Sequence, residues 1–350
     1  MVTATLAVAP TAPHRLALPE AAPPVSWGVI GSGHMADAFA RSVLGHTRSR
    51  IAAVASRDSH RSNLYAKRHD VPVVRSGEGA IDRLVEDASV EAVYVATPHS
   101  EHRAHALAAI AAGKHVLVEK AFARNEAEAK EVVDAARAAG VFAMEAMWTR
   151  FLPHMVEARR LVEEGAVGQV VHVSADFGRG QDIDPQARQF TPELAGGALL
   201  DLGVYPISLI HDFLGAPESV RAIGALAPTG VDLREAVILN YPSHRAMGTA
   251  MSTFEADTGR FATINGTRGR IDFGPSYYKP TSLTLVRSGR RDYVFDQRTD
   301  LGWQYQAAEF ARCVGEGRIE SDVMPHSATV EVMRVMDEAR SQLGVAYPGE

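Results

Sequence analysis

At 350 residues, 46% hydrophobic and 22% charged, the chain can bury a sizeable core and reads as two domains. A net charge of −6 argues against a nucleic-acid surface, and no stretch approaches the roughly 18–20 uninterrupted apolar residues of a membrane span, so neither is expected as a partner. The single cysteine, Cys313, excludes internal disulfides and fits a reducing, cytoplasmic compartment.

Residues 1–24 differ from the rest. Twelve of them are Ala or Pro and only Arg15 and Glu20 are charged, without the basic start and continuous apolar stretch of a secretory signal. This segment reads as a disordered arm. From 25 to 147 strands and helices alternate. A first strand over 25–30 runs into Gly31, Ser32, Gly33, His34, Met35 and Ala36, the dinucleotide pattern G-x-G-x-x-A. In that pattern Gly31 permits the tight turn, Gly33 admits a pyrophosphate to the backbone, and Ala36 lets helix pack on strand. Apolar residues recur at helical spacing directly afterwards, through Phe39, Ala40, Val43 and Leu44, so a helix N-terminus faces the phosphate.

The second strand, 51–55, ends in Ser56 and Arg57. An NAD enzyme places an acidic residue there on the ribose 2′-hydroxyl, whereas an arginine accommodates the 2′-phosphate of NADP. The sequence therefore favours NADP over NAD, with Asp58 one position late. A helix over 59–69, a short strand at 73–74, a helix over 79–86 and a strand over 92–96 follow. Then come Thr97-Pro98-His99, a helix over 101–112, a strand ending at Glu119-Lys120, a helix over 125–139 closed by Gly140, and a strand over 141–147. Such alternation implies right-handed crossovers and a doubly wound parallel sheet of Rossmann type.

Lys120 falls at the carboxyl edge of that sheet, where open α/β folds bind ligands. About 80 residues later, Asp201 and Tyr205 share one face if 199–210 is helical. A free phenol has a pKa of about 10 and is a poor base at neutral pH, but a nearby ammonium favours the phenolate. Lys120, Tyr205 and Asp201 are therefore candidate catalytic residues. His99, His102 and His105 have a spacing that would share a helix face, yet no acidic or cysteine set accompanies them, and no metal is expected.

The pattern changes beyond 150. Apart from a helix over 154–164 and the Asp201 helix, strands follow one another at 170–177, 219–226, 236–241, 246–254, 261–265, 270–273, 282–287 and 292–295, and two helices, 304–314 and 327–343, close the chain. The reading is an α+β domain over 148–350 with a large, mostly antiparallel, open-faced sheet. Its uncovered face predicts a homodimer or homotetramer.

The chain resembles the glucose-fructose oxidoreductase/inositol dehydrogenase (Gfo/Idh/MocA) family over about residues 25–345. The likeness is carried by Gly31–Ala36, Ala55–Asp58, Ala96–His99, Gly113–Lys120, Gly196–Pro206 and Gly266–Gly269. Glu145–Pro153 and Tyr205 are most similar to the branch of dimeric dihydrodiol dehydrogenase and NADP-dependent xylose dehydrogenase. The resemblance implies an oxidoreductase moving hydride between NADP and a carbinol carbon of a sugar, polyol or vicinal diol, with Lys120 and Tyr205 as acid/base pair and Asp201 as partner. It also implies that Thr97, Pro98, His99, His102 and Glu119 lie along the cofactor, and that Trp148, Arg150 and Phe151 line the substrate cavity with Asp201 and Tyr205. One departure stands out. The family carries proline after the lysine and this chain has Ala121, which is expected to hold Lys120 less rigidly. A non-catalytic NADP-sensing relative, or a redox glycosidase or lyase with tightly held NAD, are the alternatives; the first would be expected to have lost Lys120 or Tyr205.

Overall fold

The computed structural model describes residues 18–350, so most of the N-terminal arm lies outside the described residues. The end of that arm is a correction to the sequence reading. Pro19–Ala21 form a 3-10 turn with proline at a position that suits its fixed φ. Pro19 and Ala22 are buried, and Arg48 donates to the carbonyls of Ala21 and Ala22. Small apolar side chains and open carbonyls let this Ala/Pro stretch pack.

The described residues up to Trp148, with Leu301–Val330, form one compact unit. Six strands, β1 (Ser26–Ile30), β2 (Arg50–Ser56), β3 (Val73–Ser76), β4 (Ala92–Val95), β5 (His115–Glu119) and β6 (Ala143–Ala146), pair in the order β3-β2-β1-β4-β5-β6, all parallel. Their apolar residues are buried almost without a break, as helices on both faces require. Helices α1 (His34–His46), α2 (Ser59–His69), α3 (Ala80–Val85), α4 (His99–Ala111) and α5 (Glu126–Ala139) supply that cover. Local chemistry sets their ends. The Asp58 carboxylate accepts from Arg61 N–H at the start of α2, Asn125 does the same for Glu128 N–H in α5, and Gly140 closes α5 in the left-handed region. Strand order reverses between β1 and β4, which makes their carboxyl ends the ligand edge of the sheet.

Thr149–Asp300 and Glu331–Glu350 form the second unit. Helix α6 (Pro153–Glu163) precedes β7 (Val170–Gly178); after α7 (Val204–Leu214) come β8 (Ser219–Leu226), β9 (Asp232–Tyr241), β10 (Ala246–Thr253), β11 (Ala262–Gly266), β12 (Arg270–Phe273), β13 (Leu283–Arg287) and β14 (Arg290–Phe295). The eight strands pair in the order β14-β13-β12-β11-β7-β10-β9-β8, antiparallel throughout except for β7 with β10. Helix α7 packs across β7 and β10 on one face and is itself wholly buried. Pro192–Leu214, the one helical stretch among the described residues long and apolar enough to cross a membrane, is mostly buried and so a core element of this unit. On the other face Ile223, Ala236, Met251 and Asp176 stand in one cross-strand row, and Ile223, Ile238, Met247 and Phe261 are exposed. A shallow concavity of about 580 Å³ is floored there by Ser174, Asp176, Ile238, Thr249, Met251 and Phe261. Strand β9 begins four residues before the predicted start, with Asp232 and Glu235 buried in the fold.

The last two helices are α8 (Trp303–Gly315) and α9 (His326–Leu343). They correct the domain division, in which 148–350 was read as one continuous domain. Phe310 of α8 packs on Trp27 and Phe142 with ring centroids 4.6 and 4.8 Å away, and Trp303 stacks on Trp148 at 4.2 Å. Ser42 donates to the Gln304 side chain, and His326 meets the carbonyl of Ala143 at 3.0 Å. Residues 301–330 thus complete the core of the parallel-sheet unit. Periodicity alone shows that α8 buries one face, not which partner it buries it against.

Candidate active site

In the first unit the predicted cofactor residues gather at the carboxyl edge of the parallel sheet. Gly31 follows β1 at φ +106°, and a Cβ there would lie 2.5 Å from the carbonyl oxygen of Ala96, so no side chain fits. A Cβ on Gly33 would meet nothing within 4 Å, which leaves an open approach to the first turn of α1, whose N-terminus has no side-chain cap. Uncapped N–H groups at the end of a 13-residue helix suit a pyrophosphate. His34 and Met35 open that helix. Ser32 donates to Ser56 across the β1 and β2 ends at 3.3 Å. Beside them Arg57 is exposed, while the Asp58 carboxylate is engaged in capping α2. These residues fit a dinucleotide.

At the ends of β4 and β5 the polar groups support one another. Tyr94, stacked on Phe39, donates its hydroxyl to Glu119 at 2.5 Å. Thr97 meets His105 at 3.1 Å, and His99 sits buried at the start of α4. His102 is fully buried, and its ring nitrogens face the carbonyls of Ala121 at 2.9 Å and Thr97 at 2.8 Å. It ties the loop after β4 to the segment after β5. Lys120 is largely buried at the end of β5 and the Lys120–Ala121 peptide is cis. Ala121 is enclosed and its carbonyl is held by His102, so the loose lysine expected from the missing proline is not what the fold provides.

In the second unit, residues Leu199–Gly203 form a π-helical turn that continues directly into α7, with Val204 N–H reaching back to Leu199 O. The widened turn is characteristic of functional positions and carries Asp201, with Tyr205 in the first turn of α7. The Tyr205 ring is packed by Phe177 at 5.2 Å and Tyr278 at 5.4 Å. Arg188, from a short 3-10 turn (Arg188–Phe190), donates to Asp201 at 3.1 Å. Phe177, Tyr278 and Arg188 were not singled out in the sequence. Phe177 reads as one more apolar strand residue, and the other two lie in irregular segments without periodicity.

Trp148, Arg150 and Phe151 are all buried: Trp148 beneath Trp303 in the first unit, Phe151 and Arg150 in the second. The Arg150 guanidinium donates to Ser208 Oγ and Ser208 O, both at 3.0 Å, approaches His211 Nδ1 at 3.3 Å and lies 3.9 Å from Asp212. These contacts support α7 from within. Asp212 also receives Arg159 at 2.8 Å, and His211 pairs with Glu331 at 2.6 Å.

The family model described as "Oxidoreductase family, NAD-binding Rossmann fold" matches residues 25–147, and the "GFO/IDH/MocA C-terminal domain" matches residues 155–272. The chain belongs to the Gfo/Idh/MocA family. Among relatives of this Gfo/Idh/MocA chain, a D-xylose 1-dehydrogenase (NADP(+)) of Hypocrea jecorina is 33% identical, with 93% of each chain covered. A trans-1,2-dihydrobenzene-1,2-diol dehydrogenase of Danio rerio is 36% identical, covering 92% of this chain and 97% of the relative. The fold is also that of the aldose-aldose oxidoreductase from Caulobacter crescentus, solved with glycerol, at a TM-score of 0.83 and 24% identity over 92% of this chain and 98% of that one.

Proposed function

We propose that this Gfo/Idh/MocA chain is an NADP-dependent oxidoreductase that moves hydride between the nicotinamide and a carbinol carbon of a sugar or vicinal diol, with Lys120 and Tyr205 as its acid/base pair. The observation that carries the reading is the intact set Lys120, Asp201 and Tyr205 in a chain more than 30% identical, over more than 90% of its length, to a xylose dehydrogenase and a dihydrodiol dehydrogenase. A sensing relative has no need to keep it. Bound nicotinamide supplies the hydride acceptor or donor. In the oxidative direction Tyr205 Oη takes the proton of the substrate hydroxyl, and the Lys120 ammonium favours the phenolate that does so. Asp201, oriented by Arg188, anchors Lys120 or a neighbouring substrate hydroxyl. Phe177 and Tyr278 fix the Tyr205 ring and offer apolar faces suited to the C–H surface of a sugar ring or to a cyclic diol. A screen of nicotinamide absorbance with NADP and NAD against sugars and diols tests the assignment; no turnover on any sugar or diol would refute it.

The choice of NADP rests on exposed Arg57 and on the engagement of Asp58 as a helix cap. Arg57→Ala is expected to weaken NADP binding by about 1.5–3 kcal/mol, the worth of a charge-assisted hydrogen bond, and to leave NAD binding nearly unchanged. Titration calorimetry with both cofactors checks this, and an equal loss for the two would remove Arg57 from the 2′-phosphate site.

The reading includes cytoplasmic residence, in keeping with the one buried thiol, and a homodimer or homotetramer formed through the open face of the eight-stranded sheet. Supporting the latter, Ile223, Ile238, Met247 and Phe261 are exposed on that face. Light scattering at micromolar concentration is expected to return the mass of two or four chains of 37.7 kDa. The mass of a single chain would overturn this part.

A further inference from the structure

A second set of acidic residues lies beneath the turn that carries Asp201. Asp232 and Glu235, both on β9, are buried, as are Ser252 of β10 and Tyr347 near the C-terminus. Asp232 Oδ2 accepts the backbone N–H of Leu199, the first residue of the π-helical turn, at 2.5 Å. Ser252 donates to Glu235 Oε1. The Tyr347 hydroxyl donates to the carbonyl of Gly196 at 2.6 Å.

The glycines of this stretch are explained by the same cluster. Gly197 has φ +114°, and a Cβ there would run into the Asp232 carboxylate; one on Gly203 would lie 2.6 Å from Ser252 Oγ and 3.2 Å from Glu235 Oε1. The backbone from Gly197 to Gly203 is thus pressed against two acids. Their remaining oxygens, Asp232 Oδ1 and Glu235 Oε2, meet no N–H or O–H donor among the described residues, while the two carboxyls are within hydrogen-bond reach of each other. One proton shared between them satisfies both oxygens, and two adjacent buried carboxylates cannot both ionise. Burial raises both groups, and the Asp232 charge adds to the effect at Glu235, which is held well above the ordinary glutamate value.

We infer that Asp232 and Glu235, joined by one proton, are positioning residues for the reaction, and that they fix the start of the helix bearing Asp201 and Tyr205 by holding Leu199 N–H. Neither touches the substrate in this scheme. The inference rests on the acid/base reading of Tyr205 proposed above.

Three variants of the full chain test it: Glu235→Leu, Glu235→Gln and Tyr205→Phe. Each is assayed with NADP and whichever of D-xylose and a trans-1,2-dihydrodiol turns over faster, alongside amide exchange of residues 196–205 followed by mass spectrometry. Misplacement of reacting groups by about 1 Å lowers rates by as much as about 100-fold. Glu235→Leu is expected to lower kcat by about 10- to 100-fold, to speed exchange across 196–205, and to leave NADP affinity unchanged. Glu235→Gln keeps a donor for Asp232 and an acceptor for Ser252, and is expected to stay within about threefold of the parent in kcat, with parental exchange. A merely structural site would not separate NADP affinity from kcat in this way.

If Glu235→Gln falls as far as Glu235→Leu, the shared proton is wrong. If Glu235→Leu keeps parental kcat and exchange while Tyr205→Phe is inactive, the positioning role alone falls. If Tyr205→Phe is itself fully active, the acid/base reading has failed first, and the exchange data still decide whether the pair holds the turn. Should Glu235→Leu not fold, Tyr347→Phe loosens the same stretch at Gly196 by one hydroxyl, and unchanged exchange in that variant would overturn the anchoring.

Discussion

Tyr205→Phe and Lys120→Met are each expected to lower turnover by about 10²- to 10⁴-fold, the usual worth of general acid/base help. Both changes are conservative for the fold. Phenylalanine keeps the ring contacts with Phe177 and Tyr278, and methionine retains most of the apolar stem of a lysine that is largely buried. Cofactor affinity is therefore expected to survive, which calorimetry checks independently of rate. If the two groups move one proton as a unit, the double variant is little slower than the slower single, because the second substitution removes help already lost. Rates that multiply would show two independent contributions. A Tyr205→Phe enzyme within a few-fold of the parent, with its cofactor tightly bound, would remove Tyr205 from the proton's path.

The second large effect concerns stability. Asp212 is fully buried on α7, where Arg159 donates to one carboxylate oxygen at 2.8 Å and Arg150 lies 3.9 Å from the other. Asp212→Asn preserves shape but removes the carboxylate charge that Arg159 bonds and Arg150 approaches. Removing one member of a buried ion pair costs about 3–5 kcal/mol, since the desolvation of the remaining charge is no longer offset. Against a total of about 5–15 kcal/mol for an ordinary domain, the loss is large. Urea unfolding is expected to show a lower midpoint with little change in slope. A loss below about 1 kcal/mol would mean that Ser208 and His211, already bonded to Arg150, suffice to hold the cluster.

Tyr205 and Asp212 lie about two turns apart on one helix, and only Tyr205 was singled out in the sequence. Tyr205 could be found because a lysine ending a buried strand and a tyrosine four residues after an aspartate are chemically conspicuous. Asp212 and Arg150 could not. A charged residue type reads as exposed unless its partner is known, and Arg159 and Arg150 come from segments some 50–60 residues earlier in the chain. The same ambiguity left the acidic start of β9 unread as a strand.

What the sequence determined by itself is local. Alternating apolar runs, the spacing of Gly31, Gly33 and Ala36, and the caps at Asp58, Asn125 and Gly140 depend on backbone conformation and on residues a few positions apart, so the parallel sheet, its ligand edge and the run of later strands could be read in order. The tertiary structure decided everything that depends on which surface meets which. It assigned 301–330 to the parallel-sheet unit, because an amphipathic helix buries its apolar face equally well against any complementary surface and only packing on Trp27 and Phe142 chose one. It turned His102 inward onto two carbonyls, paired Asp201 with Arg188, and set Leu199 on Asp232. Each of those contacts joins a polar atom to a partner between 5 and 33 residues away through directional hydrogen bonds, and no periodicity in the chain encodes such a direction.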